Sequence, residues 1–370
     1  MRKKTNIIIT IAIAILIAVV FFIRGKPQQY PNELATESIP PDESAHINKA
    51  IDLFKAKITA RDSASELTQR GAHPKHHGCV TARFQVVSNL EPALRTDLFT
   101  PNAVYPAWVR FSNNDDPKAD TTPDVRGFAI KLFDVPGEKF TGNDTTHDLL
   151  LVSHPVFLFP DVETYVRAFE AFGKNQPLRF FFNPLKPELK SFRIAREMLK
   201  EHRDLLAMRW WSMVPYQYGA DKAVKYSVRP CADSAAKKRN YGQGIGENFL
   251  SERLQESLRR DPACYEFMVQ IQNDPKTMPI EDPTVEWDET ITPFQPIARL
   301  TIPAQQFDSE ERGRLCENMS FNPWRAVSEH RPLGGISRAR REIYAALSHF
   351  RRERNQVSNA EPAKPDVKEH

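Results

Sequence analysis

Gly127-Phe128-Ala129-Ile130-Lys131-Leu132-Phe133 is a short apolar run with a single charge, rich in residues that favour extended backbone, and turn formers bound it on both sides. It reads as a strand. Working outward, the same signature returns in Cys79-Val80-Thr81-Ala82-Arg83-Phe84-Gln85-Val86-Val87, in Ala107-Trp108-Val109-Arg110-Phe111-Ser112 and in Leu149 to Val152, with Asn, Asp, Gly and Pro between the runs. Successive short strands separated by turns, with no helical pattern between them, predict an antiparallel sheet, and one expected to close into a barrel.

Helical spacing flanks this block. Ile47, Ile51, Leu53, Phe54 and Ile58 place a helix over 46–62, and further helices are expected at 162–172 and 189–202. Strand signals return at 223–229, 265–272 and 298–302. The last element, 337–354, is free of Gly and Pro and well supplied with Arg and Ala, which predicts a helix. The fold class is therefore α+β, a barrel with surrounding helices.

The N-terminus differs from the rest. Asn6 to Ile23 is an unbroken apolar run behind Arg2, Lys3 and Lys4, close to the roughly 20 residues that span hydrocarbon as a helix. No small-x-small cleavage site follows it, so an uncleaved transmembrane anchor is expected. The basic stub, residues 1–5, then faces the cytoplasm and the remainder lies outside it, on the periplasmic side. Residues 24–45 have the Pro, Gln, Glu and Ser content of a tether, 46–354 form the folded domain, and 355–370 form a polar tail. A net charge of +4 with dispersed basic residues gives no reason to expect nucleic acid. Cys79, Cys231, Cys264 and Cys316 show no metal-binding or haem-attaching spacing, and their spacing leaves open both disulfides and simple burial.

Two places carry chemistry. On the closing helix Arg340, Tyr344 and Arg351 share one face, so a phenol that neighbouring positive charge can hold as an anionic metal ligand stands beside a cation. A solvated basic helix with one inward tyrosine would look the same. Upstream, Arg70-Gly71-Ala72-His73-Pro74-Lys75 delivers a histidine at the edge of the first strand, where it can serve as a general base, and His76 and His77 follow it. Trp210-Trp211 reads as core or as a substrate wall.

Several of these segments, in order, resemble the haem catalases. Arg70-x-x-His73-x-Lys75 resembles the stretch of the distal histidine. Val109-Arg110-Phe111-Ser112 resembles the strand whose arginine meets a haem carboxylate and whose serine orients that histidine. Asp124-x-Arg126-Gly127-Phe128-Ala129-x-Lys131 resembles the next strand, Phe159-Pro160-Asp161 the segment packing a ring near the haem, and Arg340-x-x-x-Tyr344 with Arg351 the proximal helix. The likeness covers roughly 65–354, and Asn322-Pro323-Trp324 and His330 to Gly335 are similar to the small catalase-related proteins.

The resemblance implies haem b with its iron on Tyr344. It implies haem contacts from Arg70, Arg110, Phe159, Arg340 and Arg351, with His73, Ser112 and Thr146 as the catalytic set. Thr146 enters because the family's distal Asn, placed without gaps from Phe159-Pro160, falls on it, while Asn143 lies three residues too early. An extra residue between His73 and Phe84 makes His77 a rival to His73. The implied activity is peroxidase with weak catalase turnover, acting on hydrogen peroxide or an organic hydroperoxide with an organic electron donor. The alternatives are an enzyme of fatty-acid hydroperoxides and a non-catalytic membrane-tethered binding domain. A homodimer is one expected assembly.

Overall fold

The computed structural model describes residues 31–63, 65, 67–114, 116–140, 145–232, 246–358 and 362–366. The apolar run 6–23 and Asn143 lie outside them. Among the described residues no helix is long and apolar enough to cross a membrane.

The chain enters through α1 (Glu43–Arg61), which buries Ile47, Ala50, Phe54 and Ile58 along one stripe. Four long strands follow as consecutive antiparallel neighbours: β1 (His76–Val86), β2 (Val104–Asn113), β3 (Arg126–Leu132) and β4 (His147–Val152). Three helices come next, α2 (Val162–Gly173), α3 (Pro177–Phe181) and α4 (Leu189–Met198). Two short strands, β5 (Trp210–Trp211) and β6 (Tyr216–Tyr218), lead to β7 (Lys222–Pro230). Then come α5 (Phe249–Arg260), β8 (Ala263–Ile271), β9 (Gln295–Ile302), α6 (Glu310–Asn318) and α7 (Gly335–Asn355).

Closure depends on a dipeptide. Trp211 pairs with Val152 of β4, while Trp210 and Trp211 pair with Val228 and Ser227 of β7, and β9 returns to β1. Eight described strands thus form a closed antiparallel ring, with β6 beside β7. A closed ring leaves no long edge unpaired. The expected barrel is present, and Trp210-Trp211 is the piece that completes it. Trp210 is fully buried, stacked on Phe128 and edge-on to Phe111.

Alternation along β2 and β3 sorts the ladder into two faces. Phe111 sits opposite Phe128 and turns into the aromatic core with Trp210. Arg110 and Ser112 therefore turn to the other face. Between β3 and β4, Lys131 and Asp148 form a fully buried ion pair at 2.7 Å, and Arg325 joins the same carboxylate at 2.9 Å.

The first N–H groups of α7 have no side-chain cap of their own. Carboxylates from elsewhere meet them: Glu37 accepts from Gly334 N and Glu281 from Gly335 N, each at 2.8 Å. Negative charge at that end also suits the helix dipole. Arg338 binds Glu37, Glu43 and Glu281 together. The end of the segment read as a tether is thus fastened to the domain, and α1 begins at Glu43. Part of the tail is held likewise, Trp108 donating to the Ala363 carbonyl oxygen.

Two disulfides answer the cysteine question: Cys79–Cys316 and Cys231–Cys264. The first ties β1 to α6. α4 stops at Met198 instead of 202, while α5 and α6 stand where no helix was expected.

Candidate active site

His73 reaches β1 in left-handed backbone, φ +57°, with its N–H donating to the Asn114 carbonyl oxygen. Its Nδ1 lies 3.1 Å from Ser112 Oγ. The ring rests directly over Gly127, where a Cβ would come within 2.5 Å of His73 Nδ1 and 2.6 Å of Ser112 Oγ. Glycine is the residue that leaves this space, a requirement the motif contained but did not disclose. Burial, then the charges of Arg110, Arg340 and Arg70, pull the His73 pKa down to about 3, outweighing a hydrogen bond with the Asn113 backbone. The imidazole is therefore neutral at ordinary pH. In the tautomer that donates Nδ1–H to Ser112, Nε2 keeps its lone pair.

Around it lies a cluster of guanidinium groups. Arg110, buried on β2, donates to the carbonyl oxygens of His73 and Pro74. Arg70 donates to those of Cys316, Glu317 and Met319 at the end of α6. Arg351 of α7 donates to the Glu317 carbonyl at 2.8 Å and to its carboxylate at 3.3 Å. Burial is the main cause that lowers all three, Arg70 to about 9 and Arg110 and Arg351 to about 10. Mutual repulsion adds to this, and Glu317 opposes it. The Nε atoms of Arg70 and Arg110 are buried without a hydrogen-bond partner. One carboxylate among three cations leaves positive charge in excess, and buried charge of that kind calls for an anionic group.

Arg340 ties the histidine to the last helix. Its Nη2 lies 3.5 Å from Tyr344 Oη and its guanidinium lies over the same ring, 5.4 Å from the centroid, while its charge also reaches His73. Its Nη1 is buried and unpartnered. Tyr165 and Tyr216 are coupled electrostatically to Arg340 and Tyr344. Phe159 is buried against Tyr165, Phe172 and Phe180, one ring removed from Tyr344's surroundings. The structure therefore gathers His73, Ser112, Arg70, Arg110, Arg340, Tyr344 and Arg351, with Phe159 just behind.

His77 is set aside for the distal role. Its Nε2 lies 2.7 Å from Asn113 Oδ1 and its Nδ1 3.7 Å from Asp120, in a buried network that Arg126 completes. No group of three or more His, Cys, Asp or Glu suited to a metal ion occurs among the described residues.

Thr146 requires correction. The register aligns Ser112 with Gly127 and Gly127 with Val152, whereas His147 pairs with Leu132. Thr146 thus stands beyond the far end of that ladder, roughly 20 Å away at about 3.3 Å per residue over the six residues from Val152. It is buried there with its hydroxyl unpartnered. Level with Ser112, on the same face and one strand beyond Gly127, β4 presents Val152, which has no hydrogen bond to offer. His147 also lies at the far end, with Nδ1 accepting from Val327 N, and His154 turns to the Val156 backbone.

Glu317 and Val152 escaped the sequence reading. Glu317 lies in a polar helix with no patterned signal, and Val152 looked like any strand residue.

No family model matches the chain. A catalase-related peroxidase of Mycolicibacterium paratuberculosis is 26% identical over 318 residues, covering 82% of this chain and 94% of that protein. Among solved structures, a fungal catalase superposes with a TM-score of 0.63 at 14% identity, over 90% of this chain and 68% of that one. A bacterial catalase gives 0.61 at 16% identity, over 94% and 73%. Catalase A from Saccharomyces cerevisiae gives 0.62 at 15% identity, over 90% and 70%. The barrel with its surrounding helices is the catalase fold, and the chain resembles the catalase superfamily in sequence as in fold.

Proposed function

We propose that this chain, built on the catalase fold, is a haem-dependent peroxide-consuming oxidoreductase that favours oxidation of an organic donor over oxygen release from hydrogen peroxide. The observation that carries the reading is the convergence of a neutral, serine-oriented histidine and a tyrosine under an arginine upon one buried pool of excess positive charge. That pool fits a dianionic haem.

Arg70, Arg110 and Arg351 would hold the haem carboxylates by charge-assisted hydrogen bonds, in exchange for the carbonyl and Glu317 contacts they make now. Tyr344 would hold the iron through its phenolic oxygen, beside which the Arg340 guanidinium stands at 3.5 Å. Haem, when bound, supplies the iron centre at which the peroxide O–O bond is broken. His73 Nε2 takes the proton of one peroxide oxygen and returns it to the other, one group acting first as base and then as acid. Ser112 and Gly127 fix the imidazole plane for both transfers. Val152 gives His73 no polar helper on its strand, which disfavours the handling of a second hydrogen peroxide.

The two disulfides suit an oxidising compartment and so support the expected location outside the cytoplasm, with residues 6–23 as the anchor. The test is turnover by the haem-replete protein: oxidation of a phenolic donor should outpace oxygen evolution. Fast oxygen evolution without donor oxidation would overturn the reading.

A further inference from the structure

One exposed surface carries a pattern that the proposed reaction does not use. Residues 172–200, spanning α3, α4 and their connections, hold seven Lys and Arg against two Glu, a local charge of +5 in a chain whose total is +4. The remainder of the protein is thus nearly neutral. The same segment bears Phe172, Leu178, Phe182, Leu185, Leu189 and Leu199, six of the twelve large apolar side chains exposed among the described residues. Leu185 is 80% exposed and Leu178 68%. Single exposed leucines are ordinary, but half of the total on one short segment is not.

The apolar side chains are held out on a firm base. Phe180 and Phe181 are buried beneath them, in edge-on and tilted contact with Phe172 and Phe192, and this aromatic layer continues inward to Phe159. Some of the charge is shared internally: Lys186 pairs with Glu163, Lys190 with Asp282 and Arg193 with Glu197. Lys174, Arg179, Arg196 and Lys200 stand exposed beside the leucines. Aliphatic and aromatic tips ringed by cations are what an interface with acidic headgroups over an acyl layer requires. The patch also connects to the N-terminal side, since α2 packs on α1 through the tilted Phe54–Phe169 ring contact and the Lys49–Glu170 ion pair. Ahead of α1 lie 42 residues, the apolar run 6–23 among them.

We propose that the α3–α4 surface is a membrane-contacting face that lays Leu178, Phe182, Leu185 and Leu189 into the headgroup boundary of an anionic bilayer. It would orient the domain on the membrane independently of the anchoring segment.

The test uses the full chain with its disulfides intact. An environment-sensitive fluorophore is placed at Leu185→Cys, with a control at Ile291→Cys, an exposed site outside the patch. The labelled proteins are mixed with vesicles of phosphatidylcholine alone or with phosphatidylglycerol added. The Leu185 label should shift to the blue and lose access to aqueous iodide only with the anionic vesicles. High salt or Leu178→Ser with Leu189→Ser should reverse the effect, and the Ile291 label should stay unchanged throughout. A Leu185 label that stays aqueous while the chain sediments with the vesicles overturns the proposal. An equal shift on neutral vesicles removes the charge complementarity on which the partner was chosen. A shift that needs no vesicles and grows with protein concentration assigns the face to a second copy instead, and also overturns it.

Discussion

Ser112 Oγ stands 3.1 Å from Nδ1 of His73, and both atoms occupy the space above Gly127 that any other residue would fill. The histidine's orientation is therefore set jointly by a hydroxyl and by a missing Cβ. Gly127→Ala should displace the imidazole by the better part of an ångström. Overpacking of this kind costs about 1–3 kcal/mol, while misplacing a reacting group by ~1 Å costs on the order of a hundredfold in rate. Peroxide turnover should fall far more than thermal stability does. Near-normal kcat in a folded Gly127→Ala protein would show that the contact is not decisive.

Val152 stands across Gly127 from Ser112 and packs among Val125, Val156, Ile194 and Met213, so this row of the sheet offers no amide on β4. Val152→Asn should raise oxygen evolution from hydrogen peroxide several-fold relative to donor oxidation, because an amide beside the imidazole can hold a second peroxide. Parallel assays of oxygen release and of phenol oxidation read the ratio. An unchanged ratio in a haem-loaded variant would separate this strand position from the choice of reaction.

The Cys79–Cys316 disulfide anchors the end of α6, whose Cys316 and Glu317 carbonyl oxygens receive Arg70 and Arg351. The paired Cys79→Ala, Cys316→Ala variant should lose about 2–4 kcal/mol of stability. It should also release haem more readily, since two of the arginines lose their footing. Denaturant melts and haem transfer to apomyoglobin would measure the two effects. A stability loss without faster haem transfer would confine the bond to a structural role.

Three histidines near β1 are held neutral by the fold. Burial is the leading cause in each, and their pKa values fall from 6.5 to about 3 for His73 and His76 and about 4 for His77. The unfolded chain takes up these protons near pH 6.5, whereas the folded chain resists them. They cost no stability above about pH 6.5, and an increasing amount as the pH falls from there toward about 3. Thermal melts across that window should show a falling midpoint, with a shallower slope in His77→Gln. A midpoint that stays flat from pH 7 to 4.5 would contradict the buried, neutral assignment.

Much of this was legible in the chain. The apolar strands and turn residues announced a barrel, and helical spacing placed Arg340 and Tyr344 on one face, because short-period patterns report directly on which side of an element is buried. Trp210-Trp211 was too short to show alternation, so its role in closure emerged only from pairing. The Thr146 assignment failed for a related reason: counting residues across a loop assumes its length, whereas ladder register does not. Glu317 and the partners of the four cysteines depend on contacts between distant segments, which local patterns do not encode.

On the proposed function, Tyr344 would hold the iron of a bound haem, with His73 as the acid and base. The most direct test of this ligation is the absorption spectrum of the haem-replete full chain beside Tyr344→Phe. The wild type should show a Soret band, and the variant displaced ligand-sensitive bands with weaker haem retention. A wild type without a Soret band, or a Tyr344→Phe protein with the unaltered wild-type spectrum, would contradict it.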